Sequence, residues 1–164
     1  MDELKELRGK IRILEDIEAI RKLKSDYWWF IDTKQWDKWR DVFTDDLVFY
    51  NDNVLTSQGA YAMVEFTSNA LNGTVSAHQG HQYAIKITSS KKAVGRWILN
   101  DILTFPDGTV ARGYGYYLED YEKGKDSKWR IKVLRLGYFR FEYGSEVPIL
   151  KSTVPYGEAC HSAD

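Results

Sequence analysis

From residue 82 to residue 143 apolar and polar side chains alternate with a period of two, and no feature of the sequence constrains the fold more. Four stretches carry the alternation: residues 82–88, 91–105, 109–121 and 128–143. Pro106-Asp107-Gly108 and residues 124–127 separate the last three as turns. The pattern predicts a four-stranded antiparallel meander filling the C-terminal half. The preceding residues follow a different period. Leu4, Leu7, Ile11, Leu14, Ile17, Ile20, Leu23, Tyr27 and Phe30 or Ile31 recur every three or four positions, which predicts an amphipathic helix over residues 2–31 with Gly9 as a point of weakness. Asp32-Thr33-Lys34-Gln35 has the form of a capping box, with Asp32 at the N-cap, ahead of a short helix carrying Trp36, Trp39, Arg40 and Phe43. Residues 47–50 read as a strand between turn formers, and residues 59–71 as a third helix.

Helices first and strands later define an α+β domain, in which helices pack on one face of a bent sheet and the cup between them encloses a pocket. A chain of 164 residues supplies one hydrophobic core, so we expect a single domain over residues 1–147 and an aperiodic tail over residues 148–164. Net charge is −1, which gives no overall field to attract nucleic acid or anionic lipid. No apolar run approaches the roughly 18 residues of a membrane span. The lone Cys160 leaves no internal disulfide, and the expected compartment is cytoplasmic. Aromatic residues reach 15%, more than the packing of so small a domain calls for.

Three features could carry chemistry. On the strand at residues 91–105, Ala93, Gly95, Trp97, Leu99, Asp101, Leu103 and Phe105 share one face, so Asp101 sits in an apolar row and must find a partner or take up a proton. His78 and His81 stand three residues apart just before a strand, and either could form an acid–base dyad with Asp101. Tyr27 shares the inward stripe of the first helix with Ile20, Leu23 and Ile31, so its buried hydroxyl needs a partner or a ligand. Tyr50, Tyr114, Tyr116, Tyr117 and Tyr138 are candidates for a pocket wall. Each has a plainer reading: a bulge or ordinary ion pair for Asp101, backbone satisfaction for the histidines, packing for the aromatics, a helix cap for Asp32.

Two histidines without a nearby cysteine make an incomplete metal-ligand set. G-x-S-x-G, GxxxxGK[ST] and GxGxxG are absent, which disfavours nucleophilic serine and nucleotide cofactors. Cofactor-free proton transfer in an aromatic pocket is what these exclusions leave.

The series Asp16-Ile17-Glu18-Ala19-Ile20-Arg21-Lys22-Leu23-Lys24-Ser25-Asp26-Tyr27, then Asp32, Trp36-Asp37, His78-Gln79-Gly80-His81, Gly95-Arg96-Trp97-Ile98-Leu99-Asn100-Asp101 and Gly137-Tyr138-Phe139-Arg140, resembles the SnoaL-like branch of the nuclear transport factor 2-like superfamily. Within it the chain looks most like the bile acid 7α-dehydratases and, more distantly, the scytalone dehydratases. The resemblance implies a cone-shaped, curved antiparallel or mixed sheet packed on N-terminal helices. It implies catalytic roles for Tyr27, His78 and Asp101 with Asp32 in support, and a substrate wall drawn from Tyr50, His81, Tyr114, Tyr116, Tyr138 and Arg140. It further implies no cofactor or metal, a hydrophobic small-molecule substrate, and a homo-oligomer, a trimer ahead of a dimer. The expected reaction is elimination of water from a hydroxyl β, or vinylogously β, to a carbonyl. Isomerisation, aldol-type cyclisation or simple ligand binding could use the same parts.

Overall fold

A computed structural model describes residues 2–144 and Pro148–Ile149. The chain runs α1 (Asp2–Asp32), α2 (Trp36–Arg40), β1 (Phe43–Asn51), β2 (Val54–Gln58), α3 (Ala60–Ala70), β3 (Val75–Ser89), β4 (Lys92–Thr104), β5 (Val110–Lys123), β6 (Trp129–Tyr143) and β7 (Pro148–Ile149). The strands form one sheet in the order β2-β1-β6-β5-β4-β3, with β7 paired to β6, and it does not close, since β2 and β3 remain its edges. The expected meander is present as β3 to β6, all antiparallel. β1 adds to it in parallel against β6, pairing Phe43 with Ile131 and Phe49 with Leu134, which makes the sheet mixed.

Several elements differ from the sequence expectation for identifiable reasons. α1 is unbroken at Gly9, because one glycine in a long helix costs only about 1 kcal/mol. Asp32 is the last residue of α1 and caps nothing. The N-cap of α2 is Gln35, without a side-chain cap bond. β2 was hidden in the sequence because it is a short edge strand with little apolar signal. Asp52 and Asn53 connect it to β1, both with positive φ (47° and 65°), the conformation a two-residue hairpin turn demands. β3 begins seven residues earlier than the alternation suggested, so both histidines lie within it. Gly80 interrupts the pattern there, because the Trp28 ring occupies the space a Cβ would fill. Of the aperiodic tail, Pro148–Ile149 is a strand, and the rest lies outside the described residues.

The core lies between α1 and the inner rows of the sheet. Ile20, Tyr27 and Ile31 of α1 meet Trp39, Phe43, Leu47, Trp97, Leu99, Tyr117, Ile131 and Leu134. Inner rows follow the period of two: Ala93, Trp97, Leu99 and Asp101 are buried on β4, and Ala111, Gly113, Tyr117, Glu119 and Tyr121 on β5. The Tyr27 ring stands in an aromatic cage, with centroids 5.3 Å from Trp39, 5.9 Å from Phe43 and 6.0 Å from Tyr117.

Candidate active site

The last turns of α1 bring Asp32 against β3 and Tyr27 against Tyr117 of β5. His78 Nδ1 lies 2.6 Å from Asp32 Oδ1, and the His78 backbone N–H donates to Asp32 Oδ2 at 2.8 Å. Ser76, two residues before His78 and on the same face of β3, donates to Asp32 Oδ1 at 2.8 Å and accepts from Lys34 Nζ at 2.7 Å. Asp32 is thus the acceptor of every contact it makes, as a carboxylate must be. Burial works to raise its pKa, but the hydrogen bonds and the charge of His78 outweigh this and hold it below the ordinary value. With Nδ1–H committed to Asp32, the basic lone pair of His78 sits on Nε2, which has no protein partner among the described residues.

This geometry corrects the expected dyad. Asp101 is the direct neighbour of His78 across the β3–β4 ladder, yet it does not bind the ring. Its Oδ2 accepts instead from the Tyr138 hydroxyl at 2.7 Å, and its Oδ1 has no side-chain partner. At 2% exposure, burial drives the Asp101 carboxyl above its usual range despite the Tyr138 hydrogen bond. The space for this group comes from Gly113, directly opposite on β5, where a Cβ would strike both the Asp101 carboxyl and the Tyr138 ring.

Tyr27 is 3% exposed. Burial, with the negative charge of Glu119, moves its pKa far upward, so its hydroxyl remains a neutral donor.

Behind Tyr27 lies a group the sequence reading missed. Lys24, one turn earlier on α1, and Glu119, on the inner row of β5, form an ion pair of 2.6 Å with both side chains fully buried. The Lys24 ammonium stands 3.9 Å from the Tyr27 ring centroid and 4.1 Å from that of Tyr117. Glu119 also accepts from Tyr121, whose oxygen accepts from Trp97 Nε1 at 2.9 Å. The signal was available: Lys24 falls on the same helical stripe as Ile20, Tyr27 and Ile31, and Glu119 falls between Tyr117 and Tyr121 on one strand face.

Of the expected wall residues, Tyr117 and Tyr138 reach the cluster. Tyr50, Tyr114, Tyr116 and Arg140 lie on the outer face, where Arg135 stacks on Tyr50, Arg140 on Tyr114, and Phe139 on Tyr116. Their inward neighbours, Phe49, Gly113, Gly115 and Tyr117, occupy the inner row. His81, an odd number of residues from His78 on one strand, is exposed and borders a groove with Arg21 and Tyr83. Among the described residues no group of three or more His, Cys, Asp or Glu side chains is placed to hold a metal ion, and no helix is long and apolar enough to cross a membrane.

The fold has relatives. A protein from Novosphingobium aromaticivorans provisionally assigned as a scytalone dehydratase superposes with a TM-score of 0.79 at 17% identity, covering 91% of this chain and 99% of its own. A hexachlorocyclohexane dehydrochlorinase, LinA type 2, superposes with a TM-score of 0.75 at 18% identity, covering 88% and 99%. A Mycobacterium tuberculosis protein of unknown function, Rv3472, does so with a TM-score of 0.67 at 24% identity, covering 82% and 75%. At these identities the likeness is one of fold. The model of the SnoaL-like domain matches residues 12–135, from α1 into the first half of β6 and so across every residue of the cluster except Tyr138, and the chain belongs to that family.

Proposed function

We propose that this chain is a lyase that removes water from a hydroxyl β, or vinylogously β, to a carbonyl on a hydrophobic polycyclic or aromatic small molecule, without a cofactor. The observation that carries this reading is the His78–Asp32 contact: a histidine whose Nδ1 is fixed by an ionised carboxylate presents Nε2 as a general base. In the proposed step His78 Nε2 takes the proton from the carbon next to the carbonyl, and the C–H electron pair becomes the enolate. Tyr27 donates to the enolate oxygen as charge develops. The enolate then re-forms the carbonyl, the new C=C bond forms, and the C–O bond breaks. The departing hydroxide takes a proton from Asp101, whose burial favours the protonated acid, or from the imidazolium. Two relatives named as a dehydratase and a dehydrochlorinase support an elimination, since both names describe loss of H–X across a carbon–carbon bond.

Incubation of a mixed pool of hydroxylated polycyclic and aromatic carbonyl compounds, read by mass, tests the proposal. We expect a product one water lighter with the native protein. Formation should fall about 10²–10⁴-fold in His78→Ala and comparably in Asp32→Asn, with unchanged circular dichroism. A product of unchanged mass would replace the lyase reading with isomerisation or cyclisation. Native-like turnover by His78→Ala would refute the assignment of the base.

A further inference from the structure

Asp16 marks where α1 meets the sheet: its Oδ1 accepts from Lys123 Nζ at 2.6 Å and Trp129 Nε1 at 2.9 Å. Every residue from 3 to 15 is exposed, so the start of α1 stands clear of the domain as an arm of about 20 Å. Its helical form rests on continuity with the packed part of α1, and Gly9 in its middle weakens it toward the free end. Yet it carries a continuous apolar stripe, Leu4, Leu7, Ile11 and Leu14, at 57%, 48%, 53% and 65% exposure. The spacing of three, four and three is the a/d pattern of a two-stranded coiled coil. Ile11 at an a position with Leu7 and Leu14 at d favours two parallel strands. The stripe ends at Glu18 and Arg21, where the helix begins to turn its apolar side to its own sheet.

Charges beside the stripe identify the partner. With Leu4 at a, the flanking g positions hold Glu3 and Lys10, and the e positions hold Arg8 and Glu15. In a parallel, in-register pair a g residue faces the e residue five positions on in the other helix, which sets Glu3 against Arg8 and Lys10 against Glu15. Both pairs attract, and the two-fold axis doubles them. An antiparallel pair aligned on the same four layers would instead oppose Lys10 to Lys10 and Arg8 to Arg8. Lys10 also bonds Glu6 within its own helix at 2.6 Å, an exposed pair that exchanges at little cost.

We propose that the arm over residues 3–15 is a dimerisation element, pairing in parallel with the same arm of a second copy of this chain. The seam is Leu4, Leu7, Ile11 and Leu14, and the register is set by Glu3–Arg8 and Lys10–Glu15.

The test is sedimentation velocity and light scattering on the full chain. The native protein should show twice 19.1 kDa, and Leu7→Glu/Ile11→Glu a single mass with its β-sheet circular dichroism retained. Glu3→Lys/Lys10→Glu should weaken association by about tenfold, since each interhelical pair then repels. Adding Arg8→Glu/Glu15→Lys should restore it, although the Lys10→Glu change leaves two like charges one turn apart, at positions 6 and 10 of each helix. A native protein of single mass overturns the proposal and leaves residues 150–164 or a foreign helix as the cover. So does a mass of three copies, or a dimer that survives Leu7→Glu/Ile11→Glu. Association unaffected by the double charge reversal, or not restored by the fourfold one, overturns the parallel register.

Discussion

Glu119→Gln is the most severe single test of the interior. Gln has nearly the shape of Glu, but its one oxygen can accept from Tyr121 or from Lys24 and not from both, so the substitution removes the negative charge and one of two acceptors. What remains is a buried ammonium facing the rings of Tyr27, Trp28 and Tyr117 with no anion opposite. The rings attract it in the native protein as well, so their contribution cancels in the difference. Breaking a buried pair from one side costs about 3–5 kcal/mol, against a total stability of about 5–15 kcal/mol. In urea, with a slope of about 2 kcal/mol/M, the midpoint should fall by about 2 M. On heating, Tm should fall by roughly 6–20 °C for a chain of this size. Lys24→Met/Glu119→Gln removes both charges and should recover most of the loss, a coupling of about 2 kcal/mol or more.

The pH dependence carries an independent sign. Burial holds the Lys24 pKa below the lysine value of 10.5 even with Glu119 opposite. A base with a lowered folded pKa binds fewer protons folded than unfolded, so stability rises with pH between the two values. Glu119 is the factor that raises the Lys24 pKa, so Glu119→Gln widens that window downward. The deficit of the variant should therefore be largest at neutral pH and shrink as pH rises toward 10.5. Tryptophan fluorescence against urea, repeated across pH, reads both effects. A loss under about 1 kcal/mol, a pH-independent deficit, or a double variant whose loss is the sum of the singles would contradict the reasoning.

Gly80→Ala places a Cβ inside the Trp28 ring; either the ring moves or the α1–β3 contact opens, and calorimetry should show a loss of about 1–3 kcal/mol or more with a shifted tryptophan emission. Native-like stability there would mean that Trp28 does not pack on β3. For Asp101 the folded pKa is raised, so its stabilising contribution is full below the unfolded carboxylate value and is lost as pH rises through the folded value. Asp101→Asn, which stays neutral and keeps an acceptor for Tyr138, should flatten Tm against pH over the mildly acid range and be at least as stable as the native protein above it. A clear loss at neutral pH would argue against a raised Asp101 pKa.

The meander and the inner row of β4 were readable because alternation is a local property: Trp97, Leu99 and Asp101 share a face by parity alone. Parity does not say which face is inward, and that is why Tyr114 and Tyr116 stood beside Tyr117 as candidates for the wall, although of the three it is Tyr117 whose ring reaches Tyr27. The partner of His78 was unreadable for a different reason. Asp32 is 46 residues away, and their contact depends on where the end of a 31-residue helix falls against an edge strand. Local spacing offered a helix cap for Asp32, and the long-range contact took precedence. Lys24 and Glu119 lay in view as charged residues on apolar stripes, but a pairing across 95 residues has no local trace.

The two aspartates of the cluster show why residue identity alone could not assign their roles. Asp32 and Asp101 are chemically the same and adjoin the same histidine, one by hydrogen bond and one by register. Asp32 accepts from His78 twice and from Ser76, a set of donors that favours the anion, and its pKa is held down. Asp101 has one neutral side-chain donor, Tyr138, and Oδ1 in an apolar row, so its pKa is driven up. In the proposed reaction, environments that push like groups apart would sort them into base-orienting and acid roles. The separation is also self-consistent, because the negative charge of Asp32 adds to burial in raising the Asp101 carboxyl. Removing one hydroxyl from either environment should move the gap between the two pKa values in opposite directions. Ser76→Ala weakens the hold on ionised Asp32 and raises it toward Asp101, which narrows the gap. Tyr138→Phe takes away the hydrogen bond that favours ionised Asp101 and raises that carboxyl further, which widens it. Carboxyl titration by NMR reads both shifts, and a gap that moves the same way in the two variants would mean that these hydroxyls do not set it.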